Sequence, residues 1–124
     1  MRVLLVDDAI TNRLVVARLL ESLGHEVVQA IDGEQAIAAW ETGSFHLVIM
    51  DIEMPKLDGL EATRQLRARG ASVPVLGFTA HDSLAELRRC RNAGMNGFLR
   101  KPVERAQLEK ALETALRTEP KKIV

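Results

Sequence analysis

Residues 47–51 read LVIMD and residues 3–8 read VLLVDD. Each is a short, unbroken apolar run that ends on carboxylates. A continuous run of this kind suits a strand covered on both faces better than a half-exposed strand, which would alternate apolar and polar residues. Similar runs lie at 25–30 and 73–78, with a weak one at 97–99. Between and after them are five segments of helical period, near 10–23, 33–42, 58–69, 83–93 and 104–118. The last carries Leu108, Ala111, Leu112, Ala115 and Leu116, an apolar stripe at helical spacing. Strand alternating with helix implies parallel strands joined by right-handed crossovers, with helices on both faces of one sheet. The fold class is α/β.

The punctuation agrees with this reading. Gly24, Gly43, Gly70 and Gly94 each follow a helical segment, where a left-handed C-terminal cap favours glycine. Asp32 with Gln35, and Asp58 with Glu61, have the spacing of N-terminal capping boxes. No internal repeat, low-complexity stretch or linker interrupts the pattern, so residues 1–118 read as one domain. Residues 119–124 read as a tail expected to fray, being Lys-bearing and broken by Pro120.

Composition narrows the function. A chain of 124 residues is one domain, large enough to bury an ordinary core without metal or disulfide support. Seventeen Lys and Arg balance 17 Asp and Glu, which argues against a protein built to coat nucleic acid or an anionic membrane. Cys90 is the sole cysteine, so no internal disulfide forms, and no Cys/His cluster has zinc spacing. No apolar run is long enough to span a bilayer, and the run after Met1 meets two aspartates too soon to be a signal peptide. The expectation is a soluble, cytoplasmic domain without direct nucleic-acid binding or membrane insertion.

The polar residues cluster at the strand ends. Asp7 and Asp8 follow the first strand, Asp51 the third, Thr79 the fourth, and Lys101 the fifth after Arg100; the second ends in Ala30 and Ile31, with nothing comparable. In an open parallel sheet the strand C-termini share one edge, and ligands bind there at the topological switch point. With the second strand outermost, in the order 2-1-3-4-5, Asp7, Asp8 and Asp51 converge on one pocket with Thr79 and Lys101 on its far side. Three adjacent carboxylates repel unless a cation neutralises them, and an all-oxygen site with room for water suits Mg2+. Mg2+, a carboxylate, a hydroxyl and a Lys ammonium are the parts of a phosphoryl-transfer site with the carboxylate as nucleophile. Taken singly, each has a plainer reading: the Asp pair caps a helix, Thr79 is structural, Lys101 is solvated. Four strand ends carrying matched chemistry weigh against coincidence. No phosphate-binding glycine loop is present, so nucleotide binding has no support.

Four stretches, VDD at 6–8, IMDIEMPKLDG at 49–59, FTA at 78–80 and GFLRKP at 97–102, jointly resemble the receiver domain of two-component response regulators, over residues 3 to about 116. The stretches 11–25, 59–67 and 93–102 resemble most the receivers attached to hybrid sensor kinases. The resemblance implies a flavodoxin-like (βα)5 doubly wound sandwich with its five-stranded parallel sheet in the order 2-1-3-4-5. It implies a phosphorelay module that catalyses only its own phosphorylation and dephosphorylation. Asp51 would accept a phosphoryl group from a histidine kinase or histidine phosphotransfer protein. Asp8 and Asp51 would bind Mg2+ through carboxylates and Glu53 through its backbone carbonyl, with Asp7 holding the metal's water shell. Lys101 would contact the phosphoryl group, across a cis bond to Pro102. Thr79 would turn its hydroxyl to the phosphoryl oxygen, and Phe98 would be the aromatic that changes rotamer with it, or a core filler. The thin apolar stripe Leu84, Leu87 and Cys90 marks the surface around the fourth helix and fifth strand as the movable output face.

Ala9 stands where hybrid-type receivers commonly have Asn, which leaves the chemistry intact. Glu53 and His81 occupy the positions that tune dephosphorylation in this family; Glu53 either orients or excludes the attacking water, with a moderately long-lived phosphoryl group as the expectation, and His81 is either catalytic or a bare loop residue. On the first helix Val16, Leu19, Leu20 and Leu23 form a core stripe, and Ile10, Leu14 and Ala17 a second stripe over 100° away. In the family this second face receives the partner's helices; packing on a neighbouring loop is the plain alternative. Two other functions fit part of the pattern: an unmodified pseudo-receiver interaction module, and an Mg2+-dependent phosphatase cycling an aspartyl-phosphate. Intact Asp7, Asp8, Asp51, Thr79 and Lys101 count against the first, and the lack of a cap or substrate insertion against the second. The chain is expected to be a single-domain regulator or the receiver part of a longer protein. The expected state is a monomer, with a phosphorylation-dependent dimer as the alternative.

Overall fold

The computed structural model describes residues 1–81 and 83–117. Five strands alternate with five helices: β1 (Arg2–Val6), α1 (Ile10–Ser22), β2 (Glu26–Ala30), α2 (Gly33–Thr42), β3 (Leu47–Asp51), α3 (Gly59–Ala68), β4 (Val75–Thr79), α4 (Leu84–Ala93), β5 (Gly97–Arg100) and α5 (Arg105–Arg117). All strand pairs are parallel and the sheet order is β2-β1-β3-β4-β5, as expected.

The unbroken apolar runs are explained by two cores, one on each face. Val3 and Leu5 of β1 point to the side covered by α1 and α5, where Val16, Ala17, Leu20, Leu108, Leu112 and Ala115 are buried. Leu4 and Val6 point to the other side, toward Ala36 and Ile37 of α2, Leu60 and Leu66 of α3, and Cys90 of α4. Every residue of β3 and β4 is buried. Each fully buried Leu, Ile or Val contributes about 1.5–3 kcal/mol relative to leaving it in water, which holds the central strands in register. Among the described residues no helix is long and apolar enough to cross a membrane.

Several local expectations change. Gly24, Gly70 and Gly94 have positive φ, but Gly43 is extended, with φ −136° and ψ 179°. Its small size serves packing instead: a Cβ there would lie 2.9 Å from Arg2 Nη1 and 3.3 Å from the Phe45 ring. β4 begins two residues later than expected, after Pro74, and Val73 lies outside the ladder. Ala17 belongs to the core at 3% exposure, not to the outer stripe of α1, while Leu19 and Leu23 are only partly buried. Asp32 and Asp58 cap α2 and α3 through Gln35 N at 2.8 Å and Glu61 N at 2.9 Å. The return bonds of the capping boxes differ: Gln35 Oε1 accepts from Ile31 N, and Glu61 pairs with Arg64. The tail at 119–124, expected to fray, and Leu116 of the apolar stripe of α5 fall outside the described side chains.

Candidate phosphoryl-acceptor site

The register builds the site. Val6 of β1 lies opposite Met50 of β3, so Asp7 and Asp51 leave their strands side by side. Asp51 lies opposite Phe78, and Thr79 opposite Arg100, which brings the residue after each pair to the same C-terminal edge. Asp7 and Asp51 are buried at 0% and 1% exposure, and Asp8 is exposed beside them.

Most of the polar atoms here are engaged. Asp51 Oδ1 accepts from Lys101 Nζ at 2.9 Å and from Glu53 N at 3.3 Å. Lys101 Nζ also lies 5.2 Å from the Phe78 ring centroid, and Lys101 N donates to Thr79 O at 2.7 Å. The Lys101–Pro102 bond is cis. Asp7 Oδ1 accepts from Ala9 N at 2.9 Å, while Asp7 O accepts from Arg13 Nη1. The plain capping reading of the Asp pair fails, because the N-cap of α1 is Ala9 and no side chain caps the helix. The Thr79 hydroxyl is turned to the next loop, accepting from His81 N and donating to His81 O, both at 2.9 Å.

Among the described residues two buried side-chain oxygens have no partner, Asp7 Oδ2 and Asp51 Oδ2. Asp7, Asp8 and Asp51 each offer a carboxylate oxygen, all within 4.8 Å of one another. Orphaned buried carboxylate oxygens facing a third carboxylate are the donor set a hard divalent cation needs, with the exposed side at Asp8 open to its water ligands. The Asp51 carboxyl is raised to about 7, chiefly by burial and also by the neighbouring Asp7 carboxylate, against the pull of the Lys101 hydrogen bond and charge. A cation held by these carboxylates would relieve the same charge crowding that a proton relieves.

The remaining expected residues sort by exposure. Glu53 and His81 are exposed at the rim. Ile10 and Leu14 are 62% and 44% exposed, so packing on a neighbouring loop does not account for them. Phe98, opposite Gly77, is 37% exposed and is not a core filler. One residue inside the 49–59 stretch also shapes the site. Gly59 starts α3 directly beneath Asp51: a Cβ there would sit 2.0 Å from Asp51 O, and Gly59 N donates to Ile52 O. The acceptor loop can close on α3 only over a glycine, a requirement that the Asp58–Gly59 doublet hints at but that spacing alone cannot reveal.

A five-stranded parallel sheet with three acids, a hydroxyl and a lysine at its C-terminal edge defines a signalling module of the two-component class. The family model for the response regulator receiver domain matches residues 3–113, and the chain belongs to that family. It is 43% identical over 107 residues to the CAI-1 autoinducer sensor kinase/phosphatase of Vibrio cholerae, covering 84% of this chain and 16% of that protein. It is 42% identical over 112 residues to the sensor protein GacS of Pseudomonas syringae pv. syringae, covering 86% of this chain and 12% of that protein. The chain thus spans a small part of the sensor kinases it matches. Among solved structures, a chemotaxis protein of Vibrio cholerae superposes with a TM-score of 0.89 at 32% identity, over 92% of this chain and 97% of that one. The receiver domain of a sensor histidine kinase from Pseudomonas aeruginosa PAO1, with magnesium coordinated in its active-site cleft, superposes at 0.86 and 37% identity, over 94% and 97%.

Proposed function

We propose that this receiver accepts a phosphoryl group on Asp51 from the phosphohistidine of a histidine kinase or phosphotransfer protein, in an Mg2+-dependent reaction. The observation that carries the reading is Asp51 itself: buried, bonded to Lys101 through one oxygen, and with the other free beside Asp7. The Asp51 Oδ2 lone pair attacks phosphorus, the bond from phosphorus to the donor's imidazole nitrogen breaks, and the imidazole leaves with that electron pair. Asp51 must be ionised to attack, and the Lys101 ammonium favours that form. Lys101 then follows the phosphoryl oxygens as a point charge. Asp7, Asp8 and Asp51 would hold Mg2+, with Glu53 adding its backbone carbonyl; bound there, the ion neutralises charge on the carboxylates and the phosphoryl group. Thr79 exchanges its bonds to His81 for one to the phosphoryl group, and Phe98 changes rotamer with it, which shifts a pre-existing equilibrium of the output surface.

The exposed Ile10 and Leu14 form the docking face for the donor's helices. Glu53 at the rim lengthens the phosphoryl lifetime by restricting the attacking water. Residues 1–118 are the functional unit, cytoplasmic and monomeric before phosphorylation. Intact-protein mass after incubation with Mg2+ and acetyl phosphate tests the reading. One phosphoryl adduct is expected, absent without Mg2+ and in Asp51→Asn. No adduct on folded protein would favour the pseudo-receiver, and steady turnover of a phosphomonoester would favour the phosphatase.

A further inference from the structure

Arg67 at the end of α3 and Gly94 and Asn96 after α4 lie in the stretches 59–67 and 93–102, yet they take no part in the phosphoryl pocket. The structure brings them together at the opposite edge of the sheet. Arg67 Nε donates to Gly94 O at 3.0 Å, and Nη2 donates to Gly94 O and Asn96 Oδ1, both at 2.7 Å. Nη1 donates to Ala71 O at 3.0 Å and Val73 O at 2.7 Å. These bonds use every N–H of the guanidinium fork. The Asn96 side chain also accepts from Val75 N, and Asn96 N donates to Val75 O, each at 2.8 Å, so the clamp reaches the first residue of β4. Gly94 is shaped for the seat: its φ is +106°, and a Cβ there would lie 2.9 Å from Arg67 Cγ.

The rest of α4 is held weakly. Its buried residues are Cys90 and Ala93, both in its last turns, whereas Leu84 at its start is 65% exposed. The loop leading into that start is latched by the two bonds between Thr79 Oγ1 and the His81 backbone. A helix with few buried apolar groups at one end and a satisfied buried clamp at the other opens from the loose end.

We propose that Arg67 is the pivot of α4, a positioning residue that pins the helix's C-terminal end to α3, β4 and β5 so that events at the phosphoryl site swing only its N-terminal end. The trigger rests on the phosphoacceptor reading: turning the Thr79 hydroxyl toward phosphorylated Asp51 gives up both bonds to His81 and releases the latch. Lysine cannot replace the pivot, because one ammonium cannot serve four acceptors spread around a planar fork.

Hydrogen exchange followed by mass spectrometry, on the full chain and its Arg67→Lys and Arg67→Gln variants, tests this. In the unmodified parent, amides of 84–88 should exchange about tenfold or more faster than those of 91–96. In both variants, protection of 91–96 and of Val75 should fall about tenfold, while β1, α1 and α2 keep theirs. After acetyl phosphate and Mg2+, the parent should lose protection at 83–88 alone and Arg67→Lys along all of α4. Uniform protection along α4 in the parent, retained protection of 91–96 in Arg67→Lys, or a loss spread evenly over the chain would each overturn the pivot. The intact mass of the same samples reports the adduct. Its absence would count against phosphorylation of Asp51, while the gradient and the variant effect in unmodified protein still decide the pivot.

Discussion

Replacing Asp51 by Asn should stabilise the metal-free protein, and the effect should depend on pH with a defined sign. Burial raises the Asp51 carboxyl from 3.8 to about 7, against the opposing pull of Lys101. Between those values the folded chain holds a proton that the unfolded chain has released, so raising the pH across this window lowers stability, and the loss levels off above pH 7. At 1.36 kcal/mol per unit the penalty at pH 8 is at most about 4 kcal/mol. A neutral amide of nearly the same shape has no such penalty, although it weakens the bond to Lys101, so a net gain of about 2–3 kcal/mol is expected. At roughly 3 °C per kcal/mol for a domain of this size, Asp51→Asn should melt about 6–9 °C higher at pH 8 without metal. The gap should close toward pH 4, where the parent is protonated. Saturating Mg2+ should narrow it from the other side, since a ligand at a hundredfold its Kd adds about 2.7 kcal/mol to a site that needs the Asp51 charge. Thermal melts by circular dichroism from pH 4 to pH 8, with and without Mg2+, provide the assay. A variant less stable than its parent at pH 8, or a gap that ignores pH, would refute the account of Asp51 as a buried charge held in wait for a cation.

Three further outcomes are expected. Gly59→Ala would set a methyl group 2.0 Å from Asp51 O and must displace the acceptor loop; it should lose about 3 kcal/mol in a urea melt, and acetyl phosphate labelling of Asp51 should slow at least about tenfold. Lys56 holds φ +65° in the loop between β3 and α3, a conformation that costs an L-residue roughly 1–2 kcal/mol, so Lys56→Gly should gain about 0.5–1 kcal/mol after glycine's own entropy is set against it, whereas Lys56→Val should lose at least as much. Replacing Ile10 and Leu14 by Ser should slow phosphoryl transfer from a partner phosphohistidine about tenfold and leave labelling by acetyl phosphate unchanged; loss of both activities would point to misfolding in place of lost docking.

What the sequence disclosed and what it withheld divide along one physical line. Asp7, Asp8, Asp51, Thr79 and Lys101 were legible as a group because each lies at or just past the end of an apolar strand, and one topological assumption, β2 outermost, carries all of them to the same edge. Caps at Asp32 and Asp58 were legible because the bond spans three residues. Ala17 misled because an alanine marks no stripe strongly: helical spacing puts it with Ile10 and Leu14, yet it is buried in the core that Val3 and Leu5 of β1 share with Val16 and Leu20. Gly43 misled because a glycine after a helix reads as a left-handed cap, yet here its value lies in the approach of Arg2 and Phe45 from distant segments. The same applies with more force to Arg67. An arginine at the end of an amphipathic helix reads as solvated, and its carbonyl partners at Gly94 lie 27 residues away. Carbonyl acceptors carry no side-chain signature, so no residue pattern announces the clamp; only Gly94 and Asn96 betray it, and both have ordinary local readings as a cap and a turn. The residues of the candidate site can therefore be recognised from strand ends, whereas the clamp around Arg67 has to be read from where the chain closes on itself.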